Sequence, residues 1–191
     1  MVPPSDSTGH VLVVDDERTV ADTQAIRLDA HYETSVAYGG EDALEMAGPS
    51  VDVILLDRRM PDIHGDDVLT RLRERGYEGV VVMLTAVDPD LNILELAFDD
   101  YLQKPVDSET LFATLDQHLD TRGGNDRLEE FFRITSKLQV LEAQKPAATL
   151  ESSREYTALQ ERVATLEADL RAEMDDFEAV VETYRTIQRE G

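Results

Sequence analysis

A doubly wound α/β domain built on a five-stranded parallel sheet, followed by an α-helical hairpin or coiled-coil domain, is the fold class predicted for this 191-residue chain. Three observations predict it. Short apolar runs alternate with amphipathic helical segments through residues 10–120. The runs are apolar on both faces, as strands covered by crossover helices must be. Beyond Gly123-Gly124 the pattern turns purely helical.

The elements follow in order. HVLVV ends before Asp15 and leads to a helical pattern at about 18–30; ETSVA follows Tyr32 and leads to one at 40–48. VDVILL ends before Asp57 and precedes a helix at 66–76, and GVVVML ends before Thr85 and precedes one at 88–98. DYL ends before Gln103, with a last helix at 107–120. Residues 1–9 read as a disordered tail lacking the basic and apolar regions of a signal peptide, and residues 121–125 as a linker. Asn125 or Asp126 can cap a helix over 126–143, with Glu129 spaced as in a capping box. From 150 to 190 there is neither Gly nor Pro. A heptad register through Tyr156, Leu159, Val163, Leu166, Leu170, Glu173, Phe177, Val180, Tyr184 and Ile187 predicts a coiled-coil helix about 60 Å long if unbroken. The second domain is therefore 126–191, either packed on itself as a hairpin or joined through its helices to a partner or a second copy.

The chain holds 41 Asp and Glu against 18 Lys and Arg, a net charge of −23. Its only lysines are Lys104, Lys137 and Lys145. At about 1 M salt the Debye length shrinks to ~3 Å and such self-repulsion is screened, so a salt-rich cytoplasm, as in a halophilic archaeon, explains the excess. An acidic mimic that occupies a basic partner would concentrate the charge in one block, whereas here residues 1–120 carry −18 and residues 121–191 carry −5. Absence of cysteine excludes disulfide and thiol chemistry, and no run of about 18 apolar residues offers a membrane span.

In open α/β sheets ligands sit outside the carboxyl ends of the strands. Asp15 and Asp16 follow the first run and Asp57 the third, so their carboxylates converge at one sheet edge, where a hard cation such as Mg²⁺ relieves their repulsion. Thr85 adds a hydroxyl and Lys104 a compact cation suited to a phosphate oxygen. This set suits transfer of a phosphoryl group onto the Asp57 carboxylate. Read alone, an Asp after a strand is more often a cap or turn former; the joint pattern carries the functional reading. His10, His31, His64 and His118 are scattered without ligand spacing.

VLVVDDE, VILLDRRMPDIHG, VVMLTA and DDYLQKP resemble, in order and position, the motifs of the response-regulator receiver domain. The resemblance covers about residues 10–120. It implies that Asp57 is the phosphoacceptor, that Asp16, Asp57 and the backbone carbonyl of Arg59 ligate Mg²⁺, and that Asp15 acts through water. It further implies Thr85 and Tyr101 as a switch pair that remodels residues 86–106, a cis Lys104-Pro105 peptide, and a histidine kinase as phosphodonor. Met60-Pro61 and Gly65 are expected to shape the loop, with Gly65 permitting φ > 0. Two departures stand out: Arg58-Arg59 place two cations beside the acceptor, and Ala97-Phe98 occupy a place where many receivers have Gly-Ala. The C-terminal part is similar, less specifically, to the haloarchaeal HalX domain.

The expected function is a cytoplasmic phosphorelay switch rather than an enzyme acting on other substrates. An unphosphorylated adaptor is the alternative, and the complete acidic, Thr85 and Lys104 set counts against it. A haloacid-dehalogenase-like phosphatase needs a second acid two positions after its nucleophile, where this chain has Arg59. Residues 121–191 show no basic stripe and no helix-turn-helix pattern, which argues against direct DNA binding.

Overall fold

The computed structural model describes residues 9–121 and 124–189, with only the backbone at Thr121 and beyond Tyr184. The expectations for the tail at 1–8, for linker residues 122–123 and for the Ile187 side chain lie outside the described residues. Two compact units are present, Met1–Thr85 and Ala86–Gly191.

The first unit runs β1 (His10–Val14), α1 (Arg18–Leu28), β2 (Glu33–Ala37), α2 (Gly40–Met46), β3 (Val53–Leu56), α3 (Gly65–Glu74) and β4 (Val80–Thr85). β1 pairs in parallel with β2 and β3, and β3 with β4. Val11–Val14, all of β3 and Val81–Leu84 are buried, so the inner strands are apolar on both faces, whereas edge strand β2 is more exposed. α3 turns Val68, Leu69 and Leu72 inward.

The second unit holds a 3₁₀ turn (Leu91–Leu94), β5 (Asp100–Gln103), α4 (Ser108–Thr121), α5 (Asp126–Gln144), α6 (Ala147–Glu151), α7 (Arg154–Glu173) and α8 (Phe177–Arg189). The sheet order is β2-β1-β3-β4-β5, the doubly wound parallel sheet expected. No helix of the described residues is long and apolar enough to cross a membrane.

Two expectations are corrected here. The helix at 88–98 is only the 3₁₀ turn: Glu95 and Leu96 bond back three residues, to Asn92 and Ile93, and the Leu96 carbonyl is taken by Lys137 Nζ instead of a following turn. The unbroken helix over 150–190 is broken at Met174, whose backbone is extended, and restarts beneath Asp176, whose carbonyl accepts from Ala179 and Val180. The expected seam is buried in part: Tyr156, Leu166, Leu170, Phe177 and Tyr184 are at most 4% exposed, Leu159, Val163 and Val180 are half-buried, Glu173 is exposed, and beyond the break Val181 rather than Val180 turns inward. Phe131 meets Phe177 edge-on at 5.5 Å, and Phe132 stacks on Tyr184 at 4.4 Å. Asn125 caps α5 as expected, its side-chain oxygen accepting from the N–H groups of Arg127 and Leu128.

Candidate phosphoacceptor site

Parallel pairing of β1 with β3 puts Val14 beside Leu56, so Asp15 and Asp57 emerge next to each other at the strand ends. The Asp57 N–H donates to the Val14 carbonyl at 2.9 Å, which pins Asp57 to β1. Both carboxylates are buried, Asp15 at 4% and Asp57 at 7% exposure, and Asp16 is half-buried. Asp15 Oδ1 accepts the Glu17 N–H at 2.9 Å, and Asp57 Oδ2 accepts the Arg59 N–H at 2.6 Å. Thr85 ends β4 fully buried, and the Arg59 side chain is exposed.

Burying neighbouring anions is costly without a counter-charge. An all-oxygen donor set of this kind fits a hard cation, and Mg²⁺ commonly keeps several waters beside one or two carboxylates. Among the described residues no three Asp, Glu or His side chains close on a common point by themselves.

The loop after Asp57 is built from contacts that its sequence only partly announces. Arg58 is buried, and its Nε and Nη2 grip the Asp66 carboxylate in the first turn of α3 at 2.9–3.1 Å. The expectation of two arginines beside the acceptor is thus corrected: the Arg58 head is engaged with α3. Charge-assisted bidentate pairs of this geometry are strong. Arg58→Ala is expected to cost about 1.5–3 kcal/mol, read as a lowered urea midpoint in high salt; an unchanged midpoint would show the pair to be structurally idle.

Gly65 has a different role from the one expected. Among the described glycines only Gly76 has positive φ. At Gly65 the constraint is space, because a Cβ there would lie 2.3 Å from the Asp57 carbonyl oxygen and 2.9 Å from Arg58 Cα. Its N–H donates to the Arg58 carbonyl at 2.9 Å, so α3 starts directly against the Asp57-Arg58 backbone. Asp62 ties the same loop to α2 by accepting the Glu41 N–H at 3.1 Å. Partial burial opposes the charge on Asp62, but bonds from the N–H groups of Ile63 and Glu41 outweigh it and hold its carboxyl below the usual carboxylate range.

In the second unit Tyr101 is 3% exposed and donates its hydroxyl to the Val87 carbonyl at 2.5 Å. Its ring lies 5.9 Å from that of Phe98. Lys104, half-buried, follows β5 and joins Pro105 through a cis peptide. Sequence reasoning overlooked Asp100. It is 1% exposed and accepts the Tyr101 N–H at 2.8 Å, with His118 Nε2 at 3.1 Å. Burial works against a charge on His118, yet the hydrogen bond to Asp100, then the charges of Asp100, Asp99 and Glu129, outweigh it and raise its pKa. The only sequence signal was a second acid ahead of Tyr101, which reads as more surface charge.

Comparison with known families decides the kinship. The response regulator receiver domain model matches residues 11–116. The chain belongs to the response regulator receiver family. A HalX domain model matches residues 120–187 of the same response regulator. A Haloferax volcanii protein described as a transcriptional regulator is 44% identical over 164 residues, 85% of this chain but 27% of that protein. Transcriptional regulatory protein CutR of Streptomyces coelicolor is 43% identical over 110 residues, 54% of this chain and 50% of CutR. The response regulator thus spans half or less of the length of these relatives. Among solved structures, a receiver domain titled BeF3-activated DrrB superposes with TM-score 0.55 at 27% identity, covering 60% of this chain and 99% of that one. The response regulator TrrA of Thermotoga maritima, solved with Mg²⁺ and beryllofluoride, gives TM-score 0.52 at 29% identity, covering 58% and 99%.

Proposed function

We propose that this response regulator accepts a phosphoryl group on Asp57 from a histidine kinase and switches its C-terminal helices in response. The pair of buried carboxylates at adjoining strand ends, Asp15 and Asp57, carries this reading. An Asp57 oxygen attacks phosphorus as the donor's P–N bond breaks, its electron pair passing to the leaving imidazole nitrogen. Bound Mg²⁺ supplies positive charge to the phosphoryl oxygens. Asp16, Asp57 and the Arg59 carbonyl are its proposed ligands, with Asp15 acting through water. Lys104 neutralises another phosphoryl oxygen, Thr85 turns its hydroxyl toward the group, and Tyr101 follows as the second half of the switch. The chain catalyses only its own phosphorylation and slow dephosphorylation.

The acidic composition and the Haloferax relative support a salt-rich cytoplasm as the setting. Output is proposed to reach transcription indirectly, the helices acting on a protein partner or a second copy. The test is intact-mass detection of phosphorylation by acetyl phosphate with Mg²⁺ in high salt. One adduct is expected on the wild type and none on Asp57→Asn or without Mg²⁺; a folded wild-type chain that takes no phosphoryl group would leave only the adaptor reading.

A further inference from the structure

The phosphoacceptor chemistry makes no use of Asp100, a buried carboxylate at the start of β5. Besides the Tyr101 N–H, its Oδ1 accepts the hydroxyl of Ser136, a fully buried residue of α5. The next residue on α5, Lys137, is 6% exposed, donates Nζ to the Leu96 carbonyl and holds that ammonium 4.7 Å from the Phe98 ring. One turn earlier, Arg133 approaches Asp99 at 3.8 Å. A single helix therefore grips the segment 96–101 at both ends.

The two sides of α5 are built from different chemistry. Toward α8 it offers Phe131 and Phe132, stacked on Phe177 and Tyr184. Toward β5 it offers a hydroxyl and an ammonium. An apolar stack tolerates small displacements, because dispersion and burial are non-directional. A buried charge-assisted hydrogen bond depends on distance and angle, and a half-satisfied polar network is costly. Apolar residues at these sites would generally give an interface at least as stable, so the polar set favours specificity of register over strength.

We propose that Asp100, Ser136 and Lys137 form a latch that docks α5 on β5 and is loosened when Tyr101 moves. Both grips lie within reach of that residue. The Tyr101 N–H shares Asp100 Oδ1 with Ser136, and the Tyr101 ring neighbours Phe98, over which Lys137 sits. A shift of Tyr101 disturbs the two together, and α5 then moves with the helices stacked on its other side. The latch rests on the phosphoacceptor reading for its trigger alone; the docking stands independently of it.

Hydrogen exchange of the full chain in high salt, followed through peptides of 126–144 with and without Mg²⁺ and beryllofluoride, tests both parts. Adduct formation on Asp57 is scored separately by native mass. Ser136→Ala is expected to raise α5 exchange at least tenfold in the unactivated chain while leaving β1 and β3 peptides unchanged. In the wild type beryllofluoride is expected to raise the same α5 peptides, and in the variant to add little. Lys137→Met, which keeps the aliphatic stem and drops the ammonium, decides the matter if Ser136→Ala does not fold. Wild-type α5 exchange in both folded variants would overturn the latch. Loaded wild type with unaltered α5 exchange would overturn its coupling to Tyr101. No adduct at all would overturn the phosphoacceptor reading and the trigger with it, while the variants still decide the docking.

Discussion

Gly65→Ala is expected to slow phosphorylation of Asp57 by about 10²-fold, the order of loss that a displacement near 1 Å of a reacting group produces. A Cβ at this position would press on the Asp57 carbonyl oxygen at 2.3 Å and on Arg58 Cα at 2.9 Å. Both are main-chain atoms, which cannot swing aside as a flexible side chain would. Either α3 backs away or the acceptor strand end moves, and overpacking of this kind typically costs about 1–3 kcal/mol as well. The rate of adduct formation with acetyl phosphate, compared at saturating Mg²⁺ with the wild type, checks it. A variant that folds and phosphorylates at the wild-type rate would show that α3 yields without disturbing Asp57.

Phe132→Ala is expected to destabilise the second unit by about 3–5 kcal/mol, the usual range for truncating a buried aromatic. Phe132 is 3% exposed, stacks on Tyr184 at 4.4 Å and lies beside Phe131, which meets Phe177. Removing its ring opens a void shared by α5 and α8, and those rigid aromatic neighbours are poorly placed to collapse into it. Guanidinium unfolding followed by far-UV circular dichroism gives the loss directly. A cost below about 1 kcal/mol would mean that the stack closes over the gap or contributes little.

Much of this fold is readable in the sequence. The runs beginning at His10 and Glu33 coincide with β1 and β2, and those around Val53, Val80 and Asp100 match the other strands within one or two residues. Period and burial work together there, since a parallel strand covered on both faces has no polar alternative. Asp15, Asp57 and Thr85 were legible for the same reason: each stands where an apolar run stops, and β1-β3 pairing brings the two acids side by side. The segment 88–98 was not legible, because its spacing of Leu91, Leu94 and Phe98 suits a helix while Lys137, some forty residues away, takes the Leu96 carbonyl. Local propensity loses to a tertiary contact in such cases. The break after α7 was hidden because neither Gly nor Pro marks it; Asp175-Asp176, poor inside helices and good at their starts, was the available signal. Arg58 was misread because a guanidinium next to a nucleophile suggests electrostatics, and only the fold shows that it points to Asp66. Asp100 went unnoticed because nothing local distinguishes a buried acid from its exposed neighbours in so acidic a chain.

The two-sided packing of α5 also bears on modularity. A joint at 121–125 looks like a natural place to cut and splice, yet Asp100 on one side of it takes its hydroxyl from Ser136 on the other. A chimera that kept residues 1–121 and received a foreign helix in place of α5 would inherit a buried carboxylate stripped of the Ser136 hydroxyl, together with a Leu96 carbonyl deprived of the Lys137 ammonium. The receiver and HalX regions are therefore joined by side-chain contacts as well as by the chain. Swapping one requires rewriting the strand that faces it, and inheritance should keep β5 and α5 together as a unit of recombination.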